Sequence, residues 1–235
     1  MNQEHERHEF LVHTLDDSSA LEAYKKPYDG YRVGRLPRLL GGLLVSCGNL
    51  FYGTRPSYLK FRAIEVIARV PYHSWASASF TLLTAFYSNE ERARRLSVLS
   101  RFTQFSAENE TMHVVVVSRL ACMHEQPGVI RYTLIPMLFA FFYFWVSYLL
   151  YMFSPRSSLE LNYIFEQHAF DQYSEFLIEN ESELKSRPVE SSFLAWYGRN
   201  PRSEYEFFRS VRNDELVHRN RSIHEIELHA NHAAT

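Results

Sequence analysis

Glu110-Thr111-Met112-His113, matched further along the chain by Glu215-Leu216-Val217-His218, is the four-residue word on which the fold turns. Residues three apart share one face of a helix, so each word aims a carboxylate and an imidazole at the same ion. A chain with 11 His shows such a pair by chance, so the words alone decide nothing. A ferritin-like di-iron bundle asks for more, namely a single Glu from each of two further helices. Two such acids are present. Glu65 is the only acid in the stretch 59–87 and lies among Ile64, Val66, Ile67 and Val70. Glu166 shares a helical face with Phe165, Ala169, Phe170 and Tyr173. A carboxylate in apolar surroundings is costly unless it is paired, protonated or bound to a cation. Glu65, Glu110, Glu166 and Glu215 each fall near the middle of a separate predicted helix.

Those helices are bounded by Pro, Gly and capping residues. The stretch 59–87 has helical periodicity, and Pro71 predicts a kink near residues 69–72. Ser88-Asn89-Glu90-Glu91 reads as a capping box for a helix running to about Met123, followed by a turn at Glu125-Gln126-Pro127-Gly128. Further helices are expected over about 159–184 and from near Ser203 to about His229. No repeat and no hairpin pattern competes. The fold class is therefore all-α: a ferritin-like di-iron four-helix bundle with additional apolar membrane-binding helices, preceded by an N-terminal arm over 1–35 and formed as one domain over 36–235.

The formal charge of −2 and pI near 6.6 give no basic footprint, so nucleic acid is disfavoured as a partner. Cys47 and Cys122 are far apart and lack Cys-x-x-Cys spacing, which makes buried free thiols the expectation. The first 17 residues mix Glu, Asp and His; they lack both the apolar core of a signal peptide and the acid-poor look of a transit peptide, and read as a mobile arm. His73, His124 and His168 read as ordinary histidines, and His224, His229 and His232 as a polar tail.

Residues 132–155 contain no charged side chain and are long enough to cross a bilayer. Pro136 and the tyrosines at 132, 143, 148 and 151 argue against a simple span. Residues 39–52 are too short to span and follow Arg32, Arg35 and Arg38, as suits a helix lying in the headgroup plane. Seating on one leaflet, monotopic rather than spanning, is the favoured reading.

At this point the chain resembles the membrane-bound alternative oxidases, most closely their plastid terminal oxidase (plastoquinol oxidase) branch. The resemblance is carried by Ile64-Glu65-Val66-Ile67-Ala68-Arg69-Val70-Pro71-Tyr72, by Ala107-Glu108-Asn109-Glu110-Thr111-Met112-His113, by Glu166-Gln167-His168-Ala169-Phe170-Asp171-Gln172-Tyr173, and by Val211-Arg212-Asn213-Asp214-Glu215-Leu216-Val217-His218. It extends over roughly 36–224 in the right order and spacing. It implies a non-haem di-iron quinol oxidase that reduces dioxygen to water without pumping protons, with plastoquinol as the expected donor. By the same resemblance two iron ions are held by Glu65, Glu110, His113, Glu166, Glu215 and His218. Tyr173 matches a tyrosine that delivers an electron, and Asn109, Asp214 and Trp196 match residues that orient the ligands. The quinol pocket takes in Lys60, Ile64 and Gln172; Lys60 stands where the family has arginine, a donor with a more rigid fork. A thylakoid or bacterial inner membrane is implied as location. A di-iron quinone-ring hydroxylase and a non-enzymatic iron-binding bundle stay open as alternatives, as does a homodimer.

Overall fold

The computed structural model describes the backbone of residues 3–233 and the side chains of residues 4–228. Among these residues all regular structure is helical, with no strand. The order is α1 (Gln3–Thr14), α2 (Ser18–Lys25), a 3-10 turn (Lys26–Tyr28), α3 (Arg35–Tyr52), α4 (Tyr58–Ala68), α5 (Val70–Phe86), α6 (Glu90–His124), a π-helical turn (Ile130–Leu134), α7 (Ile135–Phe153), α8 (Pro155–Glu179), α9 (Glu181–Ser186), α10 (Ser192–Tyr197) and α11 (Glu204–Ala233). The chain forms two compact units, Tyr58–Ser158 and the combination of Met1–Ser57 with Leu159–Thr235.

In the first unit α4 and α5 pack against α6 and α7. The kink expected near residues 69–72 is a full break: α4 ends at Ala68, and Pro71 occupies the first turn of α5, where its missing N–H costs nothing. The cap of α6 lies one residue later than expected, because the Asn89 side chain accepts from Arg92 N at 2.9 Å. Small polar side chains let α5 and α7 approach closely. Ser74 donates to Ser147 at 2.7 Å, and Trp75 donates to Ser158 at 2.8 Å with its ring tilted against Tyr151, centroids 5.8 Å apart. The π-helical turn ahead of α7 is held by Arg62 of α4, which donates to Tyr132 O at 2.6 Å and Thr133 Oγ1 at 3.2 Å.

α7 buries one narrow stripe, Tyr143, Ser147 and Tyr151, spaced by one turn. Its remaining surface exposes Leu138, Phe141, Phe142, Trp145 and Leu149. The α7 tyrosines belong to its protein side: Tyr143 and Tyr151 are buried, and Tyr148 is hydrogen-bonded to Thr81 at 2.9 Å. Residues 130–153 are long and apolar enough to cross a membrane by length and composition.

In the second unit the N-terminal residues are not a mobile arm. α1 packs on α11 and buries Val12, and Leu15 joins Phe170 and Leu216 in a small apolar core. Asn213 donates to Val12 O at 2.9 Å, and Asn220 donates to Tyr24 O at 2.7 Å. The polar composition of α1 hides this docking, which uses hydrogen bonds and the few apolar side chains Leu11, Val12 and Leu15 in place of a long apolar stripe. α3 exposes Leu36, Leu39, Leu43 and Leu50. Its other face closes on Ile164 of α8 at Gly41, where a Cβ would lie 3.0 Å from two Ile164 carbons.

The helix expected over 159–184 begins earlier, at Pro155, and breaks at Asn180, whose backbone turns to φ −118° and ψ 16° while its side-chain amide donates to Phe176 O at 2.9 Å. α10 was not expected. It is capped by Ser191 and closed by Gly198 at φ 97°, with Gly198 N and Arg199 N both donating to Leu194 O. Cys122 is exposed, not buried, and Cys47 is half-buried. His224 is exposed, and the side chains of His229 and His232 lie outside the described residues.

Candidate metal centre

Polar side chains interrupt the buried stripe of α6. Leu96, Leu99, Phe102, Ser106, Glu110, His113, Val117 and Leu120 recur at three- and four-residue steps, so Glu110 and His113 take positions that core packing would otherwise give to apolar groups. α4 packs against this helix and adds Glu65, 2% exposed. One ligand atom from each of Glu65, Glu110 and His113 lies within 4.8 Å of the other two. His113 Nδ1 is 3.6 Å from an oxygen of Glu65 and 3.6 Å from an oxygen of Glu110. Asn109 is fully buried beside them.

The second unit builds a matching trio. Glu166 comes from α8, and Glu215 and His218 come from α11; one ligand atom of each lies within 4.8 Å of the others. All three are buried. Asn162, one turn before Glu166, donates to Glu166 Oε1 at 2.8 Å and to Ser222 Oγ at 3.1 Å; Ser222, one turn after His218, donates to His218 O at 3.0 Å. Asn162 and Ser222 were missed by sequence reasoning, although a polar residue four positions from a ligand on a buried face is a signal for both.

Asp214, buried next to Glu215, accepts from Arg199 Nη1 at 2.5 Å, from Arg199 Nη2 at 3.0 Å, and from His8 Nε2 at 2.7 Å. Burial alone would weaken the Arg199 guanidinium as a cation, but Asp214 and Glu9 outweigh it and hold its pKa above the ordinary value. Burial pushes the His8 imidazole below its usual pKa, against the opposing pull of Asp214.

Tyr173 is buried seven residues after Glu166 and stacks on Phe208 with centroids 6.1 Å apart. Lys60 is buried on α4, and Ile64, one turn on, is half-buried. Gln172 donates to Glu175 at 3.1 Å. Trp196 does not join the buried polar groups. It is 68% exposed, because the short α10 turns Leu194 and Tyr197 inward and leaves the Trp196 ring on the outside, beside Phe193.

Each trio places two carboxylates and an imidazole together out of water. Such a group is unfavourable as bare charge and favourable around a cation. Hard oxygens with one nitrogen suit iron, and one Glu-x-x-His plus one single Glu in each trio is the donor set of a di-iron helical bundle. Among proteins of known function, the chain is similar to "Ubiquinol oxidase 4, chloroplastic/chromoplastic" of Arabidopsis thaliana, 26% identical over 182 residues, covering 69% of this chain and 49% of the relative. The chain thus spans about half the length of the curated relative it matches. No solved structure matches significantly. The model of the family described as alternative oxidase matches residues 44–227, a stretch that contains both trios, and the chain accordingly belongs to the alternative oxidase family.

Proposed function

We propose that this chain is a membrane-bound non-haem di-iron quinol oxidase, which takes electrons from quinol, with plastoquinol as the expected donor, and reduces dioxygen to water without pumping protons. The observation that carries the reading is the pair of buried trios, each with two carboxylates and one imidazole. Glu65, Glu110 and His113 from one unit and Glu166, Glu215 and His218 from the other are the proposed holders of two iron ions. Bound iron supplies the ferrous–ferric redox couple for dioxygen reduction.

The side chains have distinct tasks in this reading. The carboxylates neutralise the cations and can change their mode of binding as the metal charge changes. Asn162 fixes one oxygen of Glu166, leaving the other to face a metal. Asn109 and Asp214 hold the neighbouring ligands in orientation. Tyr173, shielded by Phe208, supplies one electron and its phenolic proton. Lys60, Ile64 and Gln172 are the proposed quinol contacts. The exposed leucines of α3 in one unit, and the exposed apolar side of α7 in the other, each suit contact with a lipid surface, and the proposed location is one leaflet of a thylakoid or bacterial inner membrane. Residues 36–235 act as the oxidase domain, and a homodimer is compatible with the reading.

The test is oxygen uptake by purified protein in detergent, loaded with iron and supplied with quinol. The expected stoichiometry is two quinols oxidised per dioxygen, with no hydroxylated quinone formed. Glu166→Ala should abolish uptake and Tyr173→Phe should reduce it severely. Undiminished uptake by Glu166→Ala would overturn the proposal.

A further inference from the structure

Residues 3–31 precede the stretch matched by the family model, yet they end on the residues that adjoin three proposed ligands. His8 and Glu9 are neighbours on α1. Glu9 accepts from Arg199 Nε at 3.0 Å and from Arg199 Nη2 at 2.6 Å, and the same guanidinium grips both oxygens of Asp214. His8 Nε2–H donates to Asp214 Oδ1 at 2.7 Å, and its ring lies 6.0 Å from that of His218, centroid to centroid. Arg199 also reaches Ser210 at 3.2 Å. His8, Arg199 and Asp214 are all buried. A second tie runs through the buried Arg219, which donates to Lys25 O at 2.7 Å, to Asp29 at 2.9 Å and to Gln167 at 2.5 Å. Arg219 follows His218 in sequence, and Gln167 follows Glu166.

We infer that residues 3–31 form a positioning clamp for the Glu166–Glu215–His218 trio, with His8 and Arg199 acting through Asp214 as its positioning residues. The physical case is pre-organisation. A carboxylate held on both oxygens by a fixed guanidinium and an imidazole fixes the rotation of α11 at Glu215, so little ordering is left for metal binding to impose. Removing one donor leaves Asp214 buried with incomplete compensation, and it must turn or draw in water, which moves the adjoining ligand. The inference rests on the di-iron reading proposed above.

The experiment measures Fe(II) binding by anaerobic equilibrium dialysis of the full chain, and the Co(II) absorption spectrum of the substituted protein as a signature of ligand geometry. His8→Ala should lower Fe(II) affinity by about 10–100-fold and alter the Co(II) bands. His8→Gln, which keeps a donor toward Asp214, should recover most of that loss. Arg199→Lys, which cannot grip two oxygens at once, should also weaken binding. Asp17→Ala is the control: Asp17 is the exposed cap of α2 and accepts from Ser19 N and Ala20 N in its own turn, so its loss frays the first turn of α2 and leaves the His8–Arg199–Asp214 bonds in place, and iron affinity should stay near wild type. Circular dichroism melts establish that each variant is folded. Wild-type affinity and spectrum in His8→Ala would overturn the clamp, as would an equal loss in Asp17→Ala. Failure of the wild-type chain to bind iron would instead remove the di-iron reading and the clamp with it.

Discussion

Asn162 donates from Nδ2 to Glu166 Oε1 at 2.8 Å, one helical turn ahead of the acid it holds. The same amide reaches Ser222, which is bonded to the backbone of His218, so a single side chain ties both helices of the second trio. Asn162→Ala removes both bonds and weakens the hold on Glu166. Iron affinity should fall by about 10–100-fold with the helical content intact. Dialysis against limiting Fe(II), with far-ultraviolet circular dichroism alongside, checks it; an unchanged affinity would show that Glu166 does not depend on this bond.

The two carboxylates of each trio make opposite demands with and without metal. In metal-depleted protein the like charges of Glu65 and Glu110 oppose burial, so Glu110→Gln should raise the melting temperature by a few degrees, at roughly 2–4 °C per kcal/mol for a chain of this size. In iron-loaded protein the same substitution removes a ligand. It should then lower the melting temperature, since a metal at a thousand times its Kd contributes about 4 kcal/mol to stability. Calorimetry with chelator and with Fe(II) gives both signs; a shift of the same sign in both conditions would contradict the metal-site reading.

Acid should loosen the second tie of the N-terminal segment. Burial pushes the Asp29 carboxyl up, but Lys25 and Arg219 outweigh it and hold its pKa below the ordinary 3.8. A carboxylate depressed in the folded state stabilises above its unfolded pKa, and that contribution is lost as pH falls through the folded value. The melting temperature of wild type should therefore exceed that of Asp29→Asn by a constant margin at pH 5–7, and the margin should close below pH about 4. Lys25, raised chiefly by its hydrogen bond to Asp29, carries the converse sign: its contribution is present below pH 10.5 and fades at higher pH. A margin that widens in acid would contradict this assignment.

The trios are legible in the sequence because Glu65 and Glu166 each stand among apolar neighbours, where a charge has few inexpensive explanations, while Glu110-His113 and Glu215-His218 each share one helix face. The break at Pro71 was readable for the same kind of reason, since proline leaves the backbone little choice. What escaped were partners whose meaning depends on distant chain. Arg199 follows a six-residue helix set only by a Ser cap and a Gly at positive φ, and nothing local joins it to Glu9 or Asp214. His8 lies in a helix with too few apolar residues to declare a buried face. Trp196 differs for another reason: the family resemblance alone implies its role, and the direction of α10 turns its ring outward.

The exposed apolar side of α7 gives the membrane its own test. Phe142 is 64% exposed and Leu149 is 50% exposed, whereas Ser147 between them is buried against Ser74. In water such a face is unfavourable by about 25 cal/mol for each Å² of apolar surface, and transfer of one large side chain into the acyl boundary contributes roughly 1.5–3 kcal/mol. Phe142→Asp should therefore weaken partition into anionic vesicles by about tenfold or more. It should leave the melting temperature in detergent nearly unchanged, because the side chain lies on the exposed side of α7. Ser147→Asp reverses both effects: it places a charge inside the α5–α7 contact, so the fold should suffer first. Vesicle flotation and thermal melts of the two variants separate the lipid face from the protein face, and equal flotation of wild type and Phe142→Asp would remove α7 from the membrane-binding surface.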